Sequence, residues 1–162
     1  MGNPSCLSRC VILDPKSVEL RIGNNYPDPY RSESAAREKR PLGKAAGLTN
    51  FGVNLTTLQP GTWSAQRHWH TMQDEFVYIL EGEAMLVTDE GETVLKAGMA
   101  VGFKAGVANG HCLINRSDRP VTYLEVGDRT PGDEVDYPDI DMTGRFQPTG
   151  RFKFFNRQGR PY

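Results

Sequence analysis

Short runs with β-strand character, separated by turn residues, fill the middle of this 162-residue chain. They recur about every ten residues, a spacing typical of antiparallel barrels and sandwiches. Spacers at 59–61, 88–91 and 116–120 supply proline, glycine, aspartate and serine, which favour tight turns. No helical pattern lies between the runs, so we predict an all-β domain of six to eight strands. The runs are 51–58, 63–70, 75–88, 92–97, 99–103, 111–115 and 121–126.

Composition divides the chain into three parts. Residues 1–47 form a polar, irregular N-terminal arm, with a short helix expected within 32–39. Residues 48–127 hold the strands and are predicted to be the barrel core. Residues 128–162 are expected to form an irregular C-terminal tail, acidic at first and then basic with interleaved phenylalanines. Because such phenylalanines rarely stay exposed, we expect the tail to pack on its own barrel or on a second subunit, which favours a homodimer.

Several classes of partner are not expected. The formal net charge of −1 gives no general attraction to nucleic acid or to an anionic membrane. The basic aromatic end of the chain resembles a nucleic-acid-binding segment in composition only, and protein packing is its commoner role. No apolar run approaches the roughly 18 residues of a membrane span. An odd number of cysteines and no visible secretory signal favour the cytoplasm, with Cys6 and Cys10 as ordinary thiols.

All three histidines of the chain lie in two short motifs, together with one glutamate. His68 and His70 stand two residues apart in a predicted strand, so their side chains point to the same face. Glu75 begins the next strand, and His111 begins a later one. If Glu75 points inward, these four side chains converge.

Three imidazoles and one carboxylate form a ligand set of intermediate softness. Such a set suits Fe, Mn, Ni, Zn, Co or Cu, whereas Ca and Mg prefer oxygen ligands alone. Four protein ligands in an octahedral arrangement would leave two positions open for water, substrate or dioxygen, as a catalytic metal site requires. The sequence therefore predicts one divalent transition metal held by His68, His70, Glu75 and His111.

The two motifs resemble those of the cupin superfamily, over residues from about 50 to 127. The resemblance implies a jelly-roll β-barrel, a single domain of bacterial type and a metal site. It does not imply one reaction, because cupins include dioxygenases, isomerases, decarboxylases, lyases and non-catalytic binding proteins. Lys104 stands where the second motif usually has proline, which changes the loop before His111. The matching residues are Gly61, His68, His70, Glu75 and Gly82, followed by Gly98, Gly106, His111 and Asn115.

Other residues are candidates for the substrate pocket or for the core. Lys104, in the loop before His111, is a candidate binder of an anionic substrate. Cys112 and Asn115 are expected to have structural roles, the former as a small apolar core residue. If Glu75 points inward, the alternation of side chains along its strand puts Phe76, Tyr78 and Leu80 on the opposite side, where we expect them to pack. The candidates for substrate binding are Gln66, Asn109, Tyr123 and Glu125.

The best hypothesis from the sequence is a metal-dependent enzyme that acts on a small organic molecule. Dioxygenase, isomerase and lyase chemistry all remain open, because no further histidine exists to serve as a catalytic base. Proton transfer would fall to metal-bound hydroxide, Glu75, Tyr123 or Glu125. The alternative hypothesis is a non-catalytic cupin that binds or senses a small ligand.

Overall fold

A computed structural model of the chain describes residues 10–162, so the prediction for Cys6 lies outside the described residues. Helical structure in that range is limited to α1 (Leu42–Ala45) and two turns of 3-10 helix at Pro15–Ser17 and Ser32–Ser34. None of these helices is long or apolar enough to cross a membrane. The strands are β1 (Arg21–Ile22), β2 (Glu38–Arg40), β3 (Phe51–Leu58), β4 (Trp69–His70), β5 (Glu75–Glu81), β6 (Glu83–Thr88), β7 (Gly91–Lys96), β8 (Ala100–Phe103), β9 (Cys112–Ile114), β10 (Val121–Asp128), β11 (Glu134–Tyr137), β12 (Met142–Phe146) and β13 (Phe152–Phe155).

The strands form three antiparallel sheets. The largest has six strands in the order β1-β2-β3-β10-β5-β8, the second has the order β13-β12-β11-β4, and the third has the order β7-β6-β9. The prediction of an all-β fold is therefore confirmed. Eight of the strands, β3 to β10, lie in the segment predicted to be the core, and the last of them ends one residue beyond it.

The six-stranded sheet packs one face against the three-stranded sheet, and we call this side its inner face. Leu58, Ile79 and Val121 from the large sheet meet Leu86 and Leu113 from the small one. This burial of apolar side chains from two sheets is the main stabilising contact of the domain.

Alternation along β5 places Glu75 on the inner face, as predicted. Val77 and Ile79, at the same parity, are buried. Phe76, Tyr78 and Leu80 lie on the opposite side, as expected, but the packing expected there is wrong, because these side chains are 45%, 39% and 45% exposed. No second layer of the described chain covers the outer face of the sheet at this strand.

The N-terminal arm is more regular than expected, because β2 extends the six-stranded sheet. Lys39 is the registered partner of Thr56 on β3. The short helix predicted within 32–39 is reduced to a single 3-10 turn at Ser32–Ser34. Residues 38–40 form a strand rather than a helix because pairing with β3 satisfies their backbone hydrogen-bonding groups.

The C-terminal tail also differs from the irregular segment that was expected. Its three strands, β11, β12 and β13, form a sheet that reaches the centre of the chain through β4. Val135 pairs with His70, and Asp136 pairs with Trp69. The tail therefore packs on its own domain, against the strand that carries a predicted metal ligand.

Candidate metal centre

Two backbone hydrogen bonds join His68 to His111 across a long stretch of sequence. The N–H of His68 donates to the carbonyl of His111 over 3.1 Å, and the N–H of His111 donates back over 2.8 Å. The two ring centroids consequently lie 4.8 Å apart. The His111 ring also stacks on Phe103, at a centroid distance of 3.5 Å. Backbone pairing and stacking together hold both imidazoles in place.

Short strands position the other two candidate ligands. His70 lies in β4, two residues after His68, and the two ring centroids are 5.2 Å apart. Glu75 is the first residue of β5, where it pairs with Gly127 on one side and Phe103 on the other. The sharing of one face by His68 and His70, predicted from their spacing, is thus seen directly.

The donor atoms of these residues converge on one point. Oε2 of Glu75 lies 3.6 Å from Nε2 of His68, 3.6 Å from Nε2 of His70 and 3.0 Å from Nε2 of His111. The donor atoms of His68, His70 and Glu75 all lie within 4.8 Å of one another. His111 joins this group through its contact with Glu75.

Hydrogen bonds on the far side of two rings orient their nitrogens. Nδ1 of His68 lies 2.8 Å from the carbonyl oxygen of Gln66, and Nδ1 of His70 lies 2.6 Å from Oδ2 of Asp133. Because both partners are acceptors, each Nδ1 carries the proton and donates it. The lone pair on each Nε2 then faces Glu75, which is the tautomer that a metal requires.

Asp133 is a functional candidate that sequence reasoning missed. Its side chain is fully buried, and its second oxygen accepts a hydrogen bond of 2.8 Å from the backbone of Met72. It lies 63 residues beyond His70, in the tail, so no local spacing connects the two. The acidic character of the tail was visible, but it marked no particular residue.

The protonation states of the cluster suit metal binding. Burial raises the pKa of Glu75, but the hydrogen bond from His111, together with the neighbouring rings of His68 and His70, outweighs burial and holds the pKa well below its ordinary value. Burial lowers the pKa of His111, which keeps its imidazole neutral. For His70, burial lowers the pKa, but the hydrogen bond to Asp133 and the negative charge of Glu75 have the larger combined effect. The pKa of His70 is therefore above its ordinary value. An ionised carboxylate beside imidazoles is the combination that coordinates a metal.

The residues fit one divalent transition metal. Neighbouring ligands on an ion with bonds of about 2.1 Å lie about 3 Å apart in octahedral geometry, and the nitrogen–oxygen distances here are 3.0 to 3.6 Å. Nδ1 of His111 is buried without a partner among the described residues. The donor set has the intermediate softness of iron, manganese, nickel, cobalt, copper and zinc sites.

A cavity of about 210 Å³ opens beside the cluster. It is formed where β4, β5 and β8 meet the loop that precedes β9. Lys104 supplies a cationic side chain to its wall. A small molecule in this cavity would contact the candidate ligands directly. The side chains that matter here are His70, Glu75, Phe103, Lys104, Asn109 and His111.

The four candidate substrate residues lie in different places. Asn109 lines the cavity, although its Oδ1 also accepts a hydrogen bond from the backbone of Asp89. Gln66 is buried and donates to the carbonyl of Tyr30 and to Glu33, so it anchors the N-terminal arm.

The other two lie on the inner face of β10. Tyr123 is 1% exposed, and its hydroxyl has no partner among the described residues. Glu125 accepts hydrogen bonds from Lys39 and from Asn54. A role in substrate binding stays a prediction for all four candidates.

Two structural assignments from the sequence are confirmed. Cys112 is a buried free thiol, and burial raises its pKa to about 12. Asn115 is fully buried and donates to the carbonyls of Leu58 and Arg119. Its amide thereby closes the turn between β9 and β10.

Fold and site together define a small all-β protein with a histidine–carboxylate cluster whose donor atoms could hold a metal ion. The family profile of the cupin domain matches residues 54–127. A solved sugar phosphate isomerase of the cupin superfamily from Silicibacter pomeroyi is 43% identical, with a TM-score of 0.89. The alignment covers 94% of this chain and 96% of that one. This chain therefore belongs to the cupin superfamily.

Two further solved structures are similar. A protein from Acidithiobacillus ferrooxidans, assigned as a sugar phosphate isomerase, is 28% identical with a TM-score of 0.70, over 79% of this chain and 81% of that one. The polyketide cyclase RemF from Streptomyces resistomycificus is 20% identical with a TM-score of 0.61, over 74% and 80%. The latter supports the fold alone. No curated protein sequence matched the chain significantly.

Proposed function

We propose that this cupin is a metal-dependent isomerase that interconverts the aldose and ketose forms of a phosphorylated sugar. The proposal rests on one observation: the metal cluster and its cavity lie in a chain that is 43% identical to a sugar phosphate isomerase over 94% of its length. Among the reactions that the sequence left open, isomerisation is the one that this similarity favours. Identity over nearly the whole chain includes both terminal segments, which lie outside the cupin domain match.

His68, His70, Glu75 and His111 would hold the metal. A divalent ion bound there would act as a Lewis acid on the carbonyl and hydroxyl oxygens of the sugar. Asp133 and the Gln66 carbonyl keep two of the imidazoles oriented for this task. The cavity of about 210 Å³ is small, which suits a compact substrate held close to the cluster.

Isomerisation moves a proton between adjacent carbons, so a proton acceptor must stand beside the substrate. Glu75 is ionised and borders the cavity, and its Oε1 has no hydrogen-bond donor among the described residues. Glu125 is less suited, because Lys39 and Asn54 already donate to it. Burial raises the pKa of Tyr123 well above its ordinary value, so it stays protonated and can only donate. We assign Oε1 of Glu75 as the proton acceptor.

The test is an isomerase assay on metal-reconstituted protein. Chelator-treated protein would be loaded separately with Fe²⁺, Mn²⁺, Ni²⁺, Co²⁺ or Zn²⁺ and given triose to hexose phosphates, with interconversion followed by proton NMR. We expect turnover of at least one aldose–ketose pair, with deuterium taken up from D2O at the carbon that exchanges its proton.

Two comparisons make the assay decisive. Elemental analysis should find close to one metal per chain in the wild type and a marked loss in His111→Ala. The unphosphorylated parent sugars should react much more slowly than their phosphates. A protein that holds its metal but converts none of the sugar phosphates would contradict the isomerase proposal and favour a ligand-binding cupin.

A further inference from the structure

The three histidines of the metal cluster are not held in the same way. Nδ1 of His68 donates to the carbonyl of Gln66, and Nδ1 of His70 donates to Asp133. Nδ1 of His111 is buried and has no partner in the described part of the chain. Because a hydrogen bond on the far nitrogen orients a ligand imidazole, the orientation of His111 must come from another contact.

That contact is the ring of Phe103, the last residue of β8. The ring centroids of Phe103 and His111 are 3.5 Å apart, and the ring planes are 3° from parallel. Carbon atoms in van der Waals contact lie about 3.5 to 4.0 Å apart, so the two rings lie directly face to face. The contact between His111 and His68 is looser, with centroids 4.8 Å apart and planes tilted by 41°. Phe103 is therefore the closest aromatic neighbour of His111 among the described residues.

A direct face-to-face arrangement suits an imidazole that is bound to a cation. Two neutral rings prefer an offset or an edge-to-face arrangement, because both ring faces are electron-rich. An imidazole that shares its Nε2 lone pair with a cation loses electron density from its ring. The face of such an imidazole is attracted to the negative face of Phe103, as in a cation–π contact. The stack thus favours the metal-bound state of His111 over the metal-free state.

Strand pairing fixes the place of Phe103 beside the cluster. Phe103 is the registered partner of Glu75 on β5, so both side chains share the inner face. Phe103 also packs on the hydrophobic core between the sheets, as Val101 does two residues earlier on the same strand. It borders the cavity, next to the candidate metal ligands. The support for His111 is therefore built into the sheet rather than carried by a loop.

We propose that Phe103 is a positioning residue for the metal: its ring face holds His111 in the orientation that binds the ion. It does for His111 what Asp133 and the Gln66 carbonyl do for the other two histidines. The inference depends on metal binding at the cluster and not on the proposed reaction. It adds a residue of β8, at the edge of the six-stranded sheet, to the group that forms the metal site.

Co²⁺ is the probe that tests this role without any turnover, through its affinity in competition with a chelator and its visible absorption bands. Phe103→Leu removes the ring face and keeps an apolar side chain. We expect it to weaken Co²⁺ binding by about three- to tenfold and to shift the absorption bands, because His111 then coordinates in a less regular geometry. Phe103→Tyr keeps the ring face, so its affinity should stay within about twofold of the wild type with unshifted bands.

Val101→Ala is the matched control for a loss of packing. Val101 lies on the same strand and packs on the same core, but it does not line the cavity at the cluster. This variant should lower the thermal midpoint, because it deletes apolar contacts, and should bind Co²⁺ as the wild type does. If Phe103→Leu folds poorly, Phe103→Met fills the space with a flexible side chain and serves the same test.

The inference is overturned if Phe103→Leu binds Co²⁺ with the affinity and the bands of the wild type. It is also overturned if Val101→Ala loses as much affinity as Phe103→Leu, or if Phe103→Tyr does. A wild type that binds no metal at the cluster would contradict both this role and the metal site itself. Binding that follows the expected order in a protein that isomerises no sugar phosphate would remove the proposed function and leave the role of Phe103 supported.

Discussion

Asp133 connects the C-terminal tail to the metal cluster at the scale of a single residue. It accepts from His70 through one oxygen and from the backbone of Met72 through the other. A carboxylate behind a histidine ligand orients the ring and raises its basicity. This carboxylate is completely shielded from solvent.

Replacing Asp133 with asparagine should weaken metal binding by about 10- to 100-fold. An amide offers only one acceptor, so it cannot serve both His70 and Met72. Competition with a chelator of known affinity measures the effect. Glu134→Gln, a change of the same kind at the exposed neighbouring residue, should bind metal as the wild type does. Equal affinities for Asp133→Asn and the wild type would show that His70 is held without the carboxylate.

At the scale of elements, the connection between β5 and β6 depends on a glycine. Gly82 has φ of +78°, and a Cβ built there would lie 2.7 Å from the carbonyl oxygen of Pro120. Gly98, before β8, has φ of +88° but nothing within 4 Å of such a Cβ. The two positions therefore share backbone strain and differ in the space available for a side chain.

This difference predicts unequal costs for two alanine substitutions. Gly98→Ala should lower the free energy of unfolding by about 1 to 2 kcal/mol, the cost of a left-handed residue with a Cβ. Gly82→Ala should cost about 1 to 3 kcal/mol more, because the contact with Pro120 forces the hairpin to shift. Urea denaturation of both variants gives the comparison. Equal losses would mean that the turn at Gly82 relaxes freely.

At the scale of the whole molecule, the outer face of the six-stranded sheet is apolar and uncovered along β5. Phe76, Tyr78 and Leu80 line one side of that strand, with Leu124 and Val126 beside them on β10. Together they expose roughly a few hundred Å² of apolar surface, the size that marks an interaction site. A two-fold axis would bring this face against its own copy and bury it.

We therefore expect the protein to be a homodimer that associates through this face. Light scattering after gel filtration should give twice the mass of one chain for the wild type. Phe76→Ser combined with Leu80→Ser should give a monomer with an unchanged circular dichroism spectrum. Val94→Ser, at an exposed apolar residue of β7, should remain dimeric. A monomeric wild type, or a double variant that stays dimeric, would show that the dimer lies elsewhere or does not form.

Local chemistry was enough to predict much of this protein from its sequence. The two-residue period of strands placed His68 and His70 on one face, and it placed Phe76 on the face opposite to Glu75, because neighbouring side chains on a strand alternate between faces whatever the rest of the chain does. Which of the two faces is the inner one was left as a condition. Turn residues marked the limits of most core strands, because proline, glycine, aspartate and serine favour tight turns through local chemistry alone. The cupin motifs added a fold, which the structure and its relatives confirm.

Tertiary structure alone decided which distant segments meet. Pairing of β11 with β4 brought Asp133 behind His70, which lies 63 residues earlier in the chain, and pairing of β2 with β3 carried Lys39 to the inner face. It also decided that Phe76 faces outward without cover. Pairing between distant strands depends on the free energy of the assembled sheets, to which every strand contributes, so no local pattern in one segment reports it.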